Sequence, residues 1–281
     1  MSKFVDAHAH VQFAAYDDDR DAVIARAFET GVAIVNVGTN KETSGAAIRL
    51  AEKYKEGVYA AVGLHPIHAS GSSFHDNLES HLTESESGES FDLDFYKNLG
   101  SHPKVVAIGE CGLDYFRIEN GVLSIEEQKK KQKEVFLKHI ELAREVKKPL
   151  MIHCRAAFSD LIEILSANFL KLNVVPGVIH FFSGTKDDAK KLINLGFYFT
   201  FGGVITFVRD YDEAVKIIPI DRILSETDAP YVTPAPYRGK RNEPSYVIKV
   251  VERLAELKNV SVDEMAAQTI KNAQKIFGID F

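Results

Sequence analysis

Short apolar runs, several of them rich in β-branched residues, recur along the whole chain. Most are apolar at successive positions rather than at alternate ones, which is typical of parallel strands buried on both faces. We therefore predict eight strands, at residues 4–7, 33–37, 58–62, 105–108, 150–153, 178–182, 197–201 and 223–225.

Helical patterns fill the segments between these runs. The predicted helices cover residues 19–30, 43–54, 125–146, 158–169, 186–195, 211–217, 244–257 and 262–276. Eight strand–helix units in roughly 250 residues are the pattern of a (β/α)₈ TIM barrel, so we expect a single α/β domain over residues 1–281. An open doubly wound sheet is the competing arrangement, but no Gly-x-Gly-x-x-Gly pattern follows the first strand.

One stretch interrupts this alternation. Residues 66–95, between the third and fourth strands, are rich in Ser, Gly, His and acidic residues and predict a long loop insertion. A loop of this length is usually functional or mobile. A solvated acidic excursion is one interpretation, and a lid or partner surface is the other. His68, His75 and His81 within it do not have a spacing typical of metal ligands.

Metal-binding side chains occur at the ends of several predicted strands. His8 and His10 lie two residues apart on the first strand and therefore point the same way. The other candidates, on or directly after strands four, five, six and eight, are Glu110, His153, His180 and Asp228. All strands of such a barrel end at one face, where the active site lies.

Four histidines and two carboxylates suffice to hold two divalent metal ions, with Glu110 as the bridge. Any one such residue at a strand end is more often structural, for example a helix N-cap. Six of them at successive strand ends are hard to explain in that way. The set predicts a metal-dependent hydrolase whose ions are Mg²⁺, Mn²⁺ or Zn²⁺.

Bulk composition excludes some classes of protein. With 281 residues, 45% of them hydrophobic, the chain can bury a full core. The net charge of −6 gives no overall basic field, so a nucleic-acid substrate needs local charge and bound metal. No signal-peptide core and no apolar run near the ~20 residues of a membrane span are visible, so we expect a cytoplasmic protein. Cys111 and Cys154 form no Cys-x-x-Cys pair and are expected to be reduced. The oligomeric state is left open.

Seven segments of the chain resemble the TatD-type metal-dependent deoxyribonucleases, a branch of the amidohydrolase-like barrels. They run from residue 6 to residue 244. They are Asp6-Ala7-His8-Ala9-His10, Val62-Gly63-Leu64-His65-Pro66, Ile108-Gly109-Glu110-Cys111-Gly112-Leu113-Asp114-Tyr115, Ile152-His153-Cys154-Arg155, His180-Phe181-Phe182-Ser183-Gly184, Glu226-Thr227-Asp228-Ala229-Pro230-Tyr231 and Pro236-Tyr237-Arg238-Gly239-Lys240-Arg241-Asn242-Glu243-Pro244.

The resemblance implies a (β/α)₈ fold and hydrolysis of DNA phosphodiester bonds, often from the 3′ end, with single-stranded DNA or 3′ ends as the expected substrate. It implies one metal ion held by His8, His10, Glu110 and Asp228, and a second held by Glu110, His153 and His180. It also implies that His65 lies near the site, either orienting substrate phosphate or a ligand or supporting the ligands from outside.

The chain departs from the family pattern at Ala156, where many relatives carry an acid, at Phe181-Phe182, at Val11-Gln12-Phe13 and in the long insertion. The insertion leaves the preference for exonuclease or endonuclease activity open.

Residues for proton transfer and phosphate binding follow from the chemistry. Asp228 and Glu110 are the expected catalytic carboxylates, and Asp228 is suited to orient the attacking water and accept its proton. Glu226 either assists or supports the loop. Arg155 and Arg238 are expected to contact phosphate; the alternative for the basic cluster at 238–241 is a structural anchor.

Two other functions compete with DNA hydrolysis. One is metal-dependent hydrolysis of an ester or cyclic amide, such as the ester of a D-aminoacyl-tRNA. Related barrels often bridge their metals with a carboxylated lysine after strand four, so Glu110 at that position favours the nuclease branch. The other is a binding protein that has lost catalysis, which six intact ligand candidates argue against.

Overall fold

The computed structural model describes residues 2–70, 76–80, 88–119 and 122–280. In this part of the chain, eight parallel strands pair in chain order from β1 to β8, with helices between them. The predicted (β/α)₈ architecture is therefore confirmed. The strands are β1 Phe4–Ala9, β2 Val32–Val37, β3 Val58–Val62, β4 Val105–Asp114, β5 Leu150–Arg155, β6 Gly177–Ile179, β7 Tyr198–Phe201 and β8 Ile223–Ser225.

The described helices are α1 Arg20–Glu29, α2 Lys41–Glu52, α3 Pro66–Ser70, α4 Leu93–Gly100, α5 Ile125–Val146, α6 Phe158–Ala167, α7 Lys186–Asn194, α8 Asp212–Ile217, α9 Val247–Lys258 and α10 Val262–Phe277. Local sequence explains where several of them begin. Asn40, Ser124 and Thr185 each cap a helix by accepting a hydrogen bond from the amide three residues on, and the residue there bonds back to the cap. None of the described helices has both the length and the apolar character that a membrane crossing requires.

The seam between β8 and β1 is joined by hydrogen bonds rather than by a long ladder. The Ser225 hydroxyl donates to the Val5 carbonyl at 2.8 Å. The Asp228 amide donates to the His8 carbonyl at 2.9 Å, and the His10 amide donates to the Ala229 carbonyl at 2.8 Å. These bonds nearly close the barrel and place the residues that follow β8 directly beside the end of β1.

Two strands differ from their predicted bounds in ways that move candidate residues. The apolar run of β4 ends at Ile108, yet the strand continues to Asp114 because residues 111–114 pair with β5. Glu110 therefore lies within β4 rather than at its end. The sequence places His180 on the sixth strand, but β6 ends at Ile179, and the left-handed φ of 45° at Phe181 turns the chain away.

The connection from β3 to β4 is not wholly a loop. Helix α3 follows β3 almost at once, and α4 begins within the predicted 66–95 insertion. Residues 76–80 lie over the barrel mouth, where the Ala14 and Ala15 amides donate to the carbonyls of Glu79 and Leu78. His75 and His81 lie outside the described residues.

Candidate metal centre and active site

Glu110 lies at the centre of the candidate site, and its two oxygens face different groups of histidines. Oε1 is 3.0 Å from His153 Nδ1 and 2.9 Å from His180 Nε2. Oε2 is 3.4 Å from His8 Nε2 and 3.7 Å from His10 Nε2. A carboxylate placed in this way can bridge two cations, one on each side.

The close approach of β3 and β4 allows this central position. Gly63 packs against Gly109, and a Cβ on Gly63 would come within 2.7 Å of the Gly109 backbone. Gly109 itself has a φ of 153°, and a Cβ there would lie 2.2 Å from the Met151 carbonyl oxygen. Glycine at both positions is therefore needed to bring Glu110 into the middle of the barrel mouth.

His8 and His10 converge as the alternation along β1 predicts. Their Nε2 atoms are 3.1 Å apart. At this distance one neutral ring can donate a hydrogen bond to the other, but only one of the two nitrogens can carry a proton. Asp228 Oδ1 lies 3.4 Å from His10 Nε2 and 3.7 Å from His8 Nε2. Asp228 adopts a left-handed backbone conformation, with φ 56°, which Asp tolerates better than most residues.

His153 and His180 form the second pair, on the other side of Glu110. Their facing nitrogens, His153 Nδ1 and His180 Nε2, are 3.2 Å apart. The far nitrogen of His180, Nδ1, is 3.6 Å from Glu226 Oε1. Glu226 is fully buried, and neither of its oxygens has a hydrogen-bond partner among the described residues. The choice between assistance in catalysis and loop support stays open for this residue.

Asp114 joins the site, although the sequence predicts no role for it. Its Oδ2 is 3.1 Å from His153 Nε2, while its Oδ1 accepts from the Phe116 and Arg117 amides. The available signal was its place four residues after Glu110, on the same face of an extended strand. The interruption of the apolar run at Gly109 concealed that strand.

The electrostatic balance of the site favours positive charge. Burial alone would raise the pKa of Glu110, but the charge of His180 and the hydrogen bond from His153 outweigh it and hold that pKa well below its usual range. Burial would lower the pKa of His180, yet Glu110 and Glu226 raise it well above its usual value. Uncompensated carboxylate charge thus attracts either protons or a cation.

The donor set fits divalent cations. Four groups of described residues each place one donor atom per residue within 4.8 Å of the others: His8–His10–Glu110, Glu110–His153–His180, His8–His180–Asp228 and His65–Asp114–His153. Imidazole and carboxylate together suit Zn²⁺ and Mn²⁺, and the carboxylates suit Mg²⁺. A bound cation also resolves the close contact between the His8 and His10 nitrogens, because both can then direct lone pairs at the ion.

The site opens into a cavity of about 430 Å³. This volume lies within the roughly 300–1,000 Å³ that is typical of ligand sites. The aromatic residues on its walls are Phe13, Phe181, Tyr211 and Tyr231. His65 also lines it, with Nε2 3.4 Å from Glu110 Oε1. Burial lowers the pKa of His65 to about 3, so the ring is neutral near pH 7.

Comparison with known proteins identifies the family. A family model described as TatD related DNase matches residues 5–278. The chain belongs to the TatD-related DNase family. The uncharacterized metal-dependent hydrolase YabD of Bacillus subtilis is 41% identical over 278 residues, which cover 98% of this chain and 99% of YabD. A protein named 3′-5′ ssDNA/RNA exonuclease TatD, from Erwinia tasmaniensis, is 35% identical over 93% of this chain and 94% of its own length.

A solved TatD homologue shares the fold. The crystal structure of YjjV from Escherichia coli K12 superposes with a TM-score of 0.81, at 28% identity, and covers 99% of this chain and 98% of that one. The resemblance seen in the sequence is therefore confirmed, and as a member of the TatD family this chain is a metal-dependent hydrolase.

The predicted phosphate-binding residues lie in different places. Arg155 lines the cavity, its guanidinium 3.7 Å from the centre of the Phe116 ring, and it forms no ion pair within the described ranges. Arg238 is not among the described residues that line the cavity. Its guanidinium rests on the Phe207 ring and donates to the Thr233 carbonyl at 3.2 Å. A phosphate contact by Arg238 stays a prediction for substrate that extends beyond the cavity.

The rest of the basic cluster supports the structural alternative. Arg241 donates to Asp19 Oδ2 at 2.7 Å and lies over the Tyr16 ring. The Asn242 side chain donates to the carbonyls of Thr227 and Tyr231 and so ties down the loop that carries Asp228.

Proposed function

We propose that this chain hydrolyses phosphodiester bonds in DNA, preferentially at the 3′ ends of single strands, with two divalent cations. The observation that carries the proposal is the position of Glu110 between two histidine pairs, in a cavity that also presents the Arg155 guanidinium and aromatic rings. Arginine binds phosphate oxygens in a fork geometry, and aromatic rings stack on bases without sequence preference. The family and the Erwinia exonuclease support the same substrate class.

We assign the ions to two groups of side chains. One is His8, His10, Asp228 and Glu110, and the other is Glu110, His153 and His180. Bound divalent ions neutralise phosphate charge and lower the pKa of water toward ~7. Asp228 accepts the proton of the attacking water, for which its place beside His8 and His10 is suitable. His65, neutral and donating from Nε2, orients a phosphate oxygen or Glu110.

The proposed reaction balances in a simple way. The water oxygen forms a bond to phosphorus, and the bond from phosphorus to the 3′ oxygen of the preceding nucleotide breaks. The water proton passes to Asp228, and the departing 3′ oxygen takes up a proton from solvent. The products are a nucleoside 5′-monophosphate and a strand shortened by one nucleotide.

The test uses metal-stripped protein and single-stranded DNA labelled at its 5′ end, with Mg²⁺, Mn²⁺ or Zn²⁺ added separately. We expect metal-dependent, stepwise shortening, and loss of the rate by on the order of a hundredfold or more in Glu110→Ala. His102→Ala, at a histidine that pairs with Glu52 away from the site, is the matched control and should keep the full rate.

Two outcomes would overturn parts of the proposal. Full activity in Glu110→Ala would refute the bridging role. Absence of cleavage with every metal would refute DNA hydrolysis and shift attention to ester substrates, beginning with aminoacyl-tRNA.

A further inference from the structure

Two pairs of side chains with opposite charge line different parts of the barrel mouth. Asp76 and Glu79 line the cavity on one side, and we call this pair the acidic wall. They contact residues that follow β8, β2 and β3. Arg117 and Arg155 line it on the other side, after β4 and at the end of β5, and form the basic end. Because the strands pair in chain order, the acidic wall lies against the ends of β8, β2 and β3, and the basic end lies at β4 and β5.

Hydrogen bonds fix the acidic wall in place. The Tyr231 hydroxyl donates to Asp76 Oδ2 at 2.8 Å. The Thr39 hydroxyl donates to Glu79, and His68 Nε2 is 3.1 Å from Glu79 Oε1. The backbone of the same segment is bonded to the turn after β1. The acidic wall is therefore part of the site and not a series of charged side chains exposed to solvent.

The acidic wall carries negative charge next to the reacting centre. Burial alone would raise the pKa of Glu79, but the bonds from His68 and Thr39 outweigh it and place that pKa below its usual value. Burial and the charges of Asp76 and Glu79 raise the pKa of Tyr231 far above its usual value, so its hydroxyl stays protonated and donates.

We propose that the acidic wall selects the end of a nucleic-acid strand, by accepting a hydrogen bond from a terminal 3′ hydroxyl and repelling any phosphate beyond it. A sugar hydroxyl is a good donor to a carboxylate, whereas a second anion at the same place is repelled by the like charge of Asp76 and is not offered a hydrogen-bond donor by either carboxylate. The phosphates of the remaining strand run toward the basic end. This inference rests on the proposed DNA hydrolysis. It assigns to Asp76 and Glu79 the preference of the enzyme for strand ends.

The experiment compares three single-stranded DNAs of one sequence: linear with a 3′ hydroxyl, linear with a 3′ phosphate, and circular. Each is incubated with the metal-loaded wild-type protein, with Asp76→Asn, with Glu79→Gln and with Asp94→Asn. Asp94 lies exposed on α4, so its substitution makes the same charge change away from the cavity. The amide side chains that replace Asp76 and Glu79 keep an oxygen that can accept the bonds anchoring the segment.

We expect wild type and Asp94→Asn to cleave the 3′-hydroxyl strand at least about tenfold faster than the 3′-phosphate strand, and circular DNA more slowly still. In Asp76→Asn and Glu79→Gln that ratio should fall several-fold, mainly through faster cleavage of the 3′-phosphate strand. Circular dichroism and thermal melting check that the variants are folded.

The failures of the two proposals are distinguishable. If wild type cleaves the hydroxyl and phosphate ends equally, or if folded variants keep the wild-type ratio, the acidic wall does not select chain ends, while DNA hydrolysis stands. If wild type cleaves none of the three DNAs, DNA hydrolysis is refuted and the selection of chain ends falls with it.

Discussion

Asp114 determines which nitrogen of His153 carries the proton. Its Oδ1 is already engaged by two backbone amides, so Oδ2 is the atom that faces His153 Nε2. A carboxylate oxygen only accepts, so the contact with Asp114 keeps a proton on Nε2. Nδ1, which faces Glu110 Oε1, is the nitrogen on which a metal ion would take the place of a proton. Carboxylates that orient a metal-binding histidine in this way raise its basicity as a ligand.

Substituting Asp114 by Asn tests this arrangement. If the amide oxygen keeps the two backbone bonds, the NH₂ group faces His153 Nε2 and favours the opposite tautomer. We expect affinity for Mn²⁺ or Zn²⁺ to fall by about 10- to 100-fold with the fold intact, measured by calorimetric titration of metal-stripped protein. Asp160→Asn, which touches Tyr115 and Lys133 instead, is the control. Unchanged affinity in Asp114→Asn would show that the ligand does not need this partner.

At single residues, the sequence is informative where spacing along a strand alone determines the direction in which a side chain points. The two-residue step from His8 to His10 predicts their convergence, and the structure brings their Nε2 atoms together. The sequence does not predict the role of Asp114, because glycines interrupt the apolar pattern of its strand. Arg238 was selected by proximity in sequence to other basic residues, and sequence carries no information on whether such a side chain turns into a cavity or onto a ring such as Phe207.

A buried histidine on helix α5 binds the backbone that follows β3. His139 Nε2 accepts from the Leu64 amide at 3.0 Å, and Nδ1 donates to the Val135 carbonyl at 2.9 Å. Both bonds require a neutral ring with the proton on Nδ1. The helix therefore fixes the backbone directly before His65.

This contact predicts a pH dependence of stability. Burial lowers the pKa of His139 in the folded protein to about 4, from 6.5. Between these values the unfolded chain binds more protons, so the free energy of unfolding falls as pH is lowered. For this group we expect a loss of about 1 kcal/mol between pH 7 and pH 5.5.

Urea denaturation of His139→Gln across that pH range isolates the contribution. The variant should be less stable than wild type at pH 7 but should lose less stability on acidification. His102→Gln, at a partly exposed histidine, serves as control. Parallel pH profiles for wild type and His139→Gln would rule out this role.

Elements were predictable to the extent that their pattern was long and apolar. Helix α5 has the predicted bounds because a capped start and a sustained period of 3.6 define it. Helix α3 was missed because a five-residue helix has too little periodicity to distinguish it from a loop. The end of β4 was missed because strand pairing with β5, a tertiary interaction, extends it through polar residues.

For the whole molecule, metal binding and folding should be linked. The candidate ligands come from β1, β4, β5 and the segments after β6 and β8, so an ion binds only when these strands are assembled. A cation at 100 times its dissociation constant stabilises the folded state by about 2.7 kcal/mol.

We expect Mn²⁺ or Zn²⁺ to raise the melting temperature of metal-stripped protein by several degrees, and less at acidic pH, where protons compete for the histidines. The measurement is differential scanning calorimetry with and without metal. His102→Ala should keep the shift, and Glu110→Ala should lose most of it. An equal shift in Glu110→Ala would mean that the ion binds elsewhere.

The hydrogen-bonded seam between β8 and β1 also has a consequence for synthesis of the chain. A ribosome makes Asp228, the neighbour of His8 and His10 in the fold, more than two hundred residues after those histidines. Until β8 appears, one edge of β1 has no partner, and unpaired edges invite association with other chains. A polypeptide released before residue 223 therefore lacks a complete ligand set and also exposes an edge for aggregation. Premature termination therefore produces a polypeptide that is prone to aggregation as well as inactive.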